Sequence, residues 1–453
     1  MPYGETIAAL ATPAGESALA VVRLSGPRCA ELACACLGRG RPPPPRRAIY
    51  GHYHGLDGTV VDEVVATLFA AGASFTGEPV LELSCHGNPL IARRILDDLL
   101  RRGCRPAEPG EFTRTAFMNG RLDLSQAEAV ADLIRARSER SLEAARRQLA
   151  GALGERVSAY TEELLETAAS IEAYIDFPEE DLPAEDPAGP IARIGKLDTE
   201  LRELAETSRY RELLDEGVPA VIVGAPNAGK STLLNALLGE ERAIVSEEPG
   251  TTRDFISERI RLGDYCIQIT DTAGLHAGGG QIEREGMRRT RERLAAGAFF
   301  LVVVDSAAPS PTLPADAEAY LRPERTLVVE NKTDLPGSRA HEDFLPRCPH
   351  FRISLTQPGA RLNVLRGTIA SLLESELVVP PEDALLVNAR HAAALREASA
   401  ALQAARVKLL AGEPVELAAS DLRGAVEAMG AITGKIDNER MLDKLFASFC
   451  IGK

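Results

Sequence analysis

The stretch GAPNAGKSTLLNALLG, from Gly224 to Gly239, constrains the fold more than any other part of this chain. It follows the apolar run PAVIVG, which reads as a buried strand, and leads into STLLNALLG, whose leucines recur at helical spacing. Between them, Gly224 to Ser231 fit the pattern G-x-x-x-x-G-K-S. Glycines there let main-chain N–H groups wrap an anion at the start of a helix, where the helix dipole favours negative charge. The pattern predicts that the backbone from Asn227 through Ala228, Gly229, Lys230, Ser231 and Thr232 cradles phosphates. Lys230 would reach the β and γ oxygens during catalysis, and Ser231 would ligate Mg²⁺.

The base is read from NKTD, Asn331 to Asp334, which follows the strand RTLVVE. The Asp334 carboxylate can accept from both the ring N1–H and the exocyclic amine of guanine, a pair that adenine does not offer. Lys332 can lie over the base, with Asn331 and Ser354 completing the pocket. Leu355 stands where a small residue would bring its amide to the base oxygen; an amide survives any side chain, so binding should persist. DTAG, Asp271 to Gly274, closes the strand YCIQIT: Asp271 is placed to hold Mg²⁺ through water and the Gly274 amide to sense the γ-phosphate. GTTRD, Gly250 to Asp254, supplies Thr252, whose hydroxyl can complete the Mg²⁺ shell while GTP is bound. Leu275 and His276 follow the DxxG, so the glutamine with which Ras-type enzymes orient water is missing. Such a GTPase needs about 10³ to 10⁵-fold help, roughly 4 to 7 kcal/mol of barrier, from an added positive charge and an ordered water.

At 453 residues the chain should hold two to four domains. Residues 1–118 read as an α+β domain, with the strands LAVVRLSG, AIYGHYHG, EVVATLFA and VLELSCHG and a helix from Pro89 to Arg102. The RPPPP segment at Arg41–Pro45 can only be a surface loop. Residues 119–215 read as the first part of a helical domain, helical from Leu124 to about Ile175 and broken by proline and acid from Asp176. Residues 216–377 form an inserted α/β domain of Ras-like P-loop type. Residues 378–453 return to helix, from Ala384 through Ala447 with one break at AGEP. Leu442, Leu445, Phe446 and Phe449 share one helical face, so the last helix can dock and hold the tail that carries Cys450.

A net charge of -15 excludes a whole-protein basic field, so any RNA contact must come from a local patch. The best basic stretch, RRILDDLLRRGCR at Arg93–Arg105, is explained equally well by a solvated amphipathic helix. Eight scattered cysteines fit a reducing compartment, and Cys29, Cys34 and Cys36 read as buried thiols on a helix. The amino terminus does not read as a signal peptide, and the longest apolar run, Ala295–Val304, is too short to span a bilayer. A soluble, cytoplasmic chain with no membrane contact is expected.

GxPNxGKS, AIVSEEPGTTRD, DTAGL, the helical flanks and above all the terminal FCIGK resemble the MnmE (TrmE) family of tRNA-modification GTPases, from Thr6 to Lys453. The resemblance implies a tetrahydrofolate-binding-like amino-terminal domain, a helical bundle and an inserted G domain. It implies K⁺ held by Asn227, Ser246, Glu248 and Thr251 in the place of an arginine finger, which can stabilise developing phosphate charge as a guanidinium does. Glu283 would orient the attacking water indirectly. Arg23, Glu82, Arg121 and Lys453 would bind 5-formyltetrahydrofolate, and Cys450 would serve the modification chemistry. A homodimer is implied, joined by the flavoprotein MnmG in a heterotetramer that acts on tRNA. The activity implied is a K⁺-activated GTP hydrolysis that drives addition of a carboxymethylaminomethyl-type group to C5 of the wobble uridine. An Era- or EngA-like switch in ribosome assembly shares the cradle and Asn227, but should carry a KH-like or second G module in place of these flanks.

Overall fold

The computed structural model describes residues 4–176, 188–239, 257–263, 265–271, 299–311, 321–376, 384–434, 439–447 and 449–452. Contacts divide the chain into two compact units, one of Met1–Ile134, Arg147–Thr199 and Ala394–Lys453, the other of Arg135–Arg146 and Glu200–Ala393.

The first unit begins with a six-stranded sheet: β1 (Ile7–Leu10), β2 (Leu19–Ser25), β3 (Ala48–His54), β4 (Val60–Phe69), β5 (Val80–His86) and β6 (Arg105–Pro106), in the order β3-β4-β5-β2-β1-β6. Only the β1–β6 pair is parallel. Successive side chains of a strand point to opposite faces. In β2 this sends Ala20, Val22 and Leu24 to a core shared with helices α1 (Cys29–Cys36) and α2 (Pro89–Arg101). Val21 and Arg23 take the other face, and register is fixed because a slip of one residue would exchange the two sets. Asn88 caps α2 by accepting from the Leu90 amide, with Pro89 in the first turn, and the helix ends one residue before the expected Arg102. Cys29 and Cys36 face the core, where burial pushes the Cys29 thiol up to about 12.

Asp98, on α2, ties this layer together. It accepts from Tyr53 Oη at 2.8 Å, the Leu56 amide at 2.9 Å and Arg102 Nε at 2.6 Å. Burial alone would raise its carboxyl, but these hydrogen bonds and the Arg102 charge hold it below the usual carboxylate range.

Helix α3 (Glu111–Met118) places Phe112 against Ile7 and Ala9 on the other face of the sheet. The helical stretch expected from Leu124 to about Ile175 is divided into α4 (Leu124–Arg135), α5 (Glu139–Leu149) and α6 (Ala152–Asp176). Gly151, at φ +99°, takes a left-handed turn between the last two. Helix α7 (Ala188–Glu206) follows.

In the second unit, α8 (Ser208–Glu216) leads to β7 (Val218–Gly224), α9 (Lys230–Leu238), β8 (Ser257–Leu262), β9 (Tyr265–Asp271), β10 (Phe299–Asp305), β11 (Thr326–Asn331), β12 (His350–Arg352) and α10 (Arg361–Glu376). The sheet order is β12-β11-β10-β7-β9-β8, parallel except for β8–β9. Strands covered on both faces read as unbroken apolar runs. Accordingly Phe299, Leu301 and Val303 pack with Leu233 and Leu237 of α9, while Phe300, Val302 and Val304 pack with Phe344 and Leu345.

The chain returns to the first unit through α11 (Ala389–Ala411), α12 (Val415–Thr433) and α13 (Glu439–Ala447). The AGEP break falls between α11 and α12 as expected. A second break, not expected, follows α12 at Gly434, which is left-handed at φ +80° with Phe117 Cζ 2.7 Å from where a Cβ would sit. Helix α12 packs along α6. Leu442, Phe446 and Phe449 are buried against Leu124, Ala127 and Ala131, so the last helix docks through the face read from its sequence.

Asp98→Ala leaves Arg102 buried without its partner and should destabilise the first unit by about 3–5 kcal/mol. Hydrogen exchange of β3 and α2 amides under denaturant would measure it. Because the folded carboxyl is depressed, the contribution of Asp98 is full above the ordinary carboxylate range and is lost as pH falls through the lowered value. The variant should therefore differ from the wild type at neutral pH and converge with it in acid.

Candidate functional site

Strand β7 lies at the centre of its sheet with β10 on one side and β9 on the other, and ligands of such sheets bind beyond the carboxyl ends of the strands at this crossing point. The loop leaving β7 is held in conformations that only its residues tolerate. A Cβ on Gly224 would come within 2.3 Å of Val303 O, and one on Gly229 within 2.1 Å of Asn331 Nδ2. Gly229 is left-handed at φ +108° and opens α9 as its N-cap; Asn227 is also left-handed, at φ +63°. Lys230 Nζ donates to Gly224 O at 3.0 Å and Ala225 O at 2.9 Å, so its ammonium lies inside the loop. Asn227, Ser231 and Thr232 are exposed, while Ala228 and Lys230 are buried. A loop closed this tightly on glycine, with a buried ammonium at its centre and a helix amino terminus behind it, suits a polyphosphate.

The residues expected to read the base stand at or after the ends of the neighbouring strands. Asn331, buried at the end of β11, donates through Nδ2 to Ala228 O at 2.9 Å and accepts through Oδ1 from the Leu355 amide at 3.0 Å. It thus fastens the phosphate loop to the segment that carries Ser354. The Leu355 amide serves Asn331 here instead of standing open for a base oxygen, and the leucine side chain is buried in the core beside α9, which accounts for a large residue at this place. Lys332 is left-handed at φ +62°, and Asp334 is exposed. Ser354 Oγ pairs with Thr356 Oγ1 at 3.0 Å.

Asp305, at the end of β10, belongs to this group although its only mark in the sequence is that of an acid closing an apolar run. Its Oδ2 accepts from Lys332 Nζ at 2.7 Å and its Oδ1 from the Ala307 amide at 3.0 Å. Burial would raise its carboxyl, but these bonds and the lysine charge hold it below the usual range. Asp271 ends β9 opposite Ile222 of β7, which places its backbone beside the loop. Ser246, Glu248, Thr251, Thr252, Gly274, Glu283 and Lys453 lie outside the described residues, as do Leu275 and His276.

A second group gathers in the first unit. Arg23 and Glu82 are direct cross-strand partners, with Arg23 Nε and Nη2 at 2.9 and 2.8 Å from Glu82 Oε1. The guanidinium also stands 5.9 Å from the Phe112 ring centroid and donates through Nη1 to Gly452 O at 3.3 Å. Gly452 is buried and left-handed at φ +93°, and a Cβ there would meet Leu10 O at 2.5 Å. The Gly110 amide reaches Cys450 O at 3.4 Å. The tail is therefore pinned at the Cys450 carbonyl and at Gly452, while Cys450 itself stays exposed. Arg121 is exposed and packs by Gly77, in the loop whose Thr76 bonds Ser25, two residues along β2 from Arg23 on the same face. Of the basic stretch, Arg102 is paired with Asp98 and Arg105, in β6, with Glu5 and Glu111, while Arg93 lies exposed 3.8 Å from Asp97 on the solvated side of α2.

Comparison with known proteins joins the two groups in one lineage. Residues 124–450 match the MnmE helical domain and residues 6–121 match the GTP-binding protein TrmE N-terminus. The chain belongs to the MnmE family. A relative from Opitutus terrae, named tRNA modification GTPase MnmE, is 49% identical over 452 residues, 100% of both chains. A second of the same name, from Chlorobium phaeovibrioides, is 41% identical over 99% of this chain and 98% of its own. Among solved structures, the G domain of the T. maritima FeoB iron transporter is 22% identical, with a TM-score of 0.27, over 35% of this chain and 99% of that one. As an MnmE-family member the chain is a GTP hydrolase. Among the described residues no helix is long and apolar enough to cross a membrane.

Gly229→Ala would strain a left-handed position and drive a methyl group into Asn331. Together these should weaken nucleotide binding by about a hundredfold. Titration of a fluorescent GDP analogue against the folded variant would measure the loss.

Proposed function

We propose that this MnmE-family chain is a K⁺-activated tRNA-modification GTPase whose hydrolysis cycle drives alkylation at C5 of the wobble uridine, adding a carboxymethylaminomethyl-type group. The observation that carries the proposal is the pinned tail: Arg23, a residue of the folate-like sheet, bonds the backbone of the C-I-G-K segment beside an exposed Cys450. A bare nucleotide switch has no use for such an arrangement, and its appearance in a chain with a guanine loop favours modification over an assembly factor.

In the G domain, Lys230 binds the β and γ phosphate oxygens, exchanging loop carbonyls for them. Ser231 and Thr252 would hold Mg²⁺, with Asp271 as the third protein group for it. Asn227 is exposed at the turn of the loop, as a side-chain ligand for K⁺ must be, with Ser246, Glu248 and Thr251 completing the set. When bound, Mg²⁺ and K⁺ would supply positive charge against that developing on the transferred phosphoryl group. Glu283 orients the attacking water indirectly, and Asp334 selects guanine, with Gly274 sensing the γ-phosphate.

In the first unit the Arg23–Glu82 pair, partly exposed beside Phe112 and the tail, offers a ligand one cation and one acceptor, with Arg121 nearby. That donor set suits a 5-formyltetrahydrofolate, whose pterin carries N–H donors and whose tail carries carboxylates. Lys453 joins this site. When bound, the folate supplies a one-carbon unit. The flavoprotein MnmG is the proposed partner in a heterotetramer built on a homodimer of this chain, working on cytoplasmic tRNA.

Nucleoside mass spectrometry of total tRNA from cells lacking the protein tests the reading. Loss of C5-aminomethyl-type uridines is expected, restored by the wild type and not by Cys450→Ser. Unchanged uridines in the deletion would remove the modification reading, and restoration by Cys450→Ser would remove the thiol from it.

A further inference from the structure

Lys332 can cover the base only if its long side chain is held along one direction, because a free lysine loses about 2 kcal/mol of rotamer entropy on being fixed. Asp305 already fixes it. The Nζ–Oδ2 distance of 2.7 Å is that of a charge-assisted hydrogen bond, and both side chains are less than a third exposed. The carboxylate is oriented in turn, since Oδ1 accepts from the Ala307 amide at 3.0 Å.

The backbone around Asp305 is equally constrained. Asp305 lies opposite Asn331 in the parallel β10–β11 register, and the Ser306 amide donates to Asn331 O at 2.9 Å. His341 Nε2 bonds Asp305 O at 3.2 Å, and the His341 amide donates to Glu330 Oε1 at 3.1 Å. Glu330 is 1% exposed and is also paired with His350 Nδ1 at 2.9 Å and Arg352 Nε at 3.2 Å. The two strand ends that deliver Asp305 and Lys332 thus move as one piece.

We propose that Asp305 is a positioning residue of the guanine site, acting through Lys332: it holds the ammonium so that the lysine stem forms a preset cover for the base. The proposal rests on the guanine reading of NKTD and adds to it the residue that makes the lysine rigid before the nucleotide arrives. Preorganisation of this kind raises affinity by removing an ordering cost that binding would otherwise carry. It should affect GDP and GTP alike, because it concerns the base and not the phosphates.

The test is a double-mutant cycle on GDP affinity in the full chain, using Asp305→Ala, Lys332→Ala and the double variant. Asp305→Ala should weaken GDP binding by about tenfold, the scale of one charge-assisted hydrogen bond. In the Lys332→Ala background the same change should cost nothing further. Asp305→Asn keeps an acceptor for the Ala307 amide without the charge and should fall between wild type and alanine. KM for GTP should rise in step while kcat stays near the wild-type value. Additive losses in the double variant, or wild-type affinity in Asp305→Ala, would overturn the proposal. If alanine unfolds the domain, the position of Asp305→Asn in the absence and presence of Lys332 decides in the same way. Failure of the wild type itself to bind GDP would remove the guanine site on which the inference stands.

Discussion

The loop that leaves β7 depends on the contact between Gly229 and Asn331. The asparagine amide occupies the space that a Cβ at position 229 would fill, and from there it bonds both Ala228 O and the Leu355 amide. One buried side chain therefore locks three chain segments, each leaving a different part of the sheet. A buried polar group is costly unless its hydrogen bonds are made, and Asn331 makes them on both its oxygen and its nitrogen. The loop is preorganised because its neighbour is, and the parallel sheet supplies the alignment.

The same logic extends outward from the site. Asp305 and Glu330 occupy the ends of adjacent strands, and each collects partners from loops distant in sequence. In the first unit, Asp98 does comparable work within the α+β layer, and the Arg23–Glu82 pair does it on the opposite face of that sheet. A single guanidinium there meets a carboxylate, an aromatic ring and the backbone of the tail. The tail is accordingly part of the amino-terminal unit, although some 430 residues separate Arg23 from Gly452.

What the sequence made legible follows the range of the physics. The phosphate loop, NKTD and the docking face of the last helix are local patterns, and each appears where its spacing put it. The break at Gly434 was not legible, because a glycine is tolerated within a helix until a distant ring, here that of Phe117, claims the space beside it. The split of the long helix near Gly151 escaped for a similar reason: local composition favours helix on both sides. Asp305 was invisible because its role depends on parallel register with Asn331. The pairing of Arg23 with Glu82 needed the register of β2 against β5, which alternation within either strand does not determine. The basic stretch around α2 looks like one patch in sequence, but in the fold Arg102, just past the helix, is an internal ion pair with Asp98, while Arg93 stays exposed.

The central claim is that the ends of β10 and β11 form a guanine-specific site with Asp334 as the reader. The most direct measurement is competition among GTP, XTP and ATP for the wild type and for Asp334→Asn. Xanthine presents a carbonyl where guanine presents its exocyclic amine, so an amide at position 334 should reverse the preference. The account predicts that the wild type favours GTP over XTP by at least about a hundredfold and that Asp334→Asn favours XTP. A variant that still prefers GTP over XTP would contradict it.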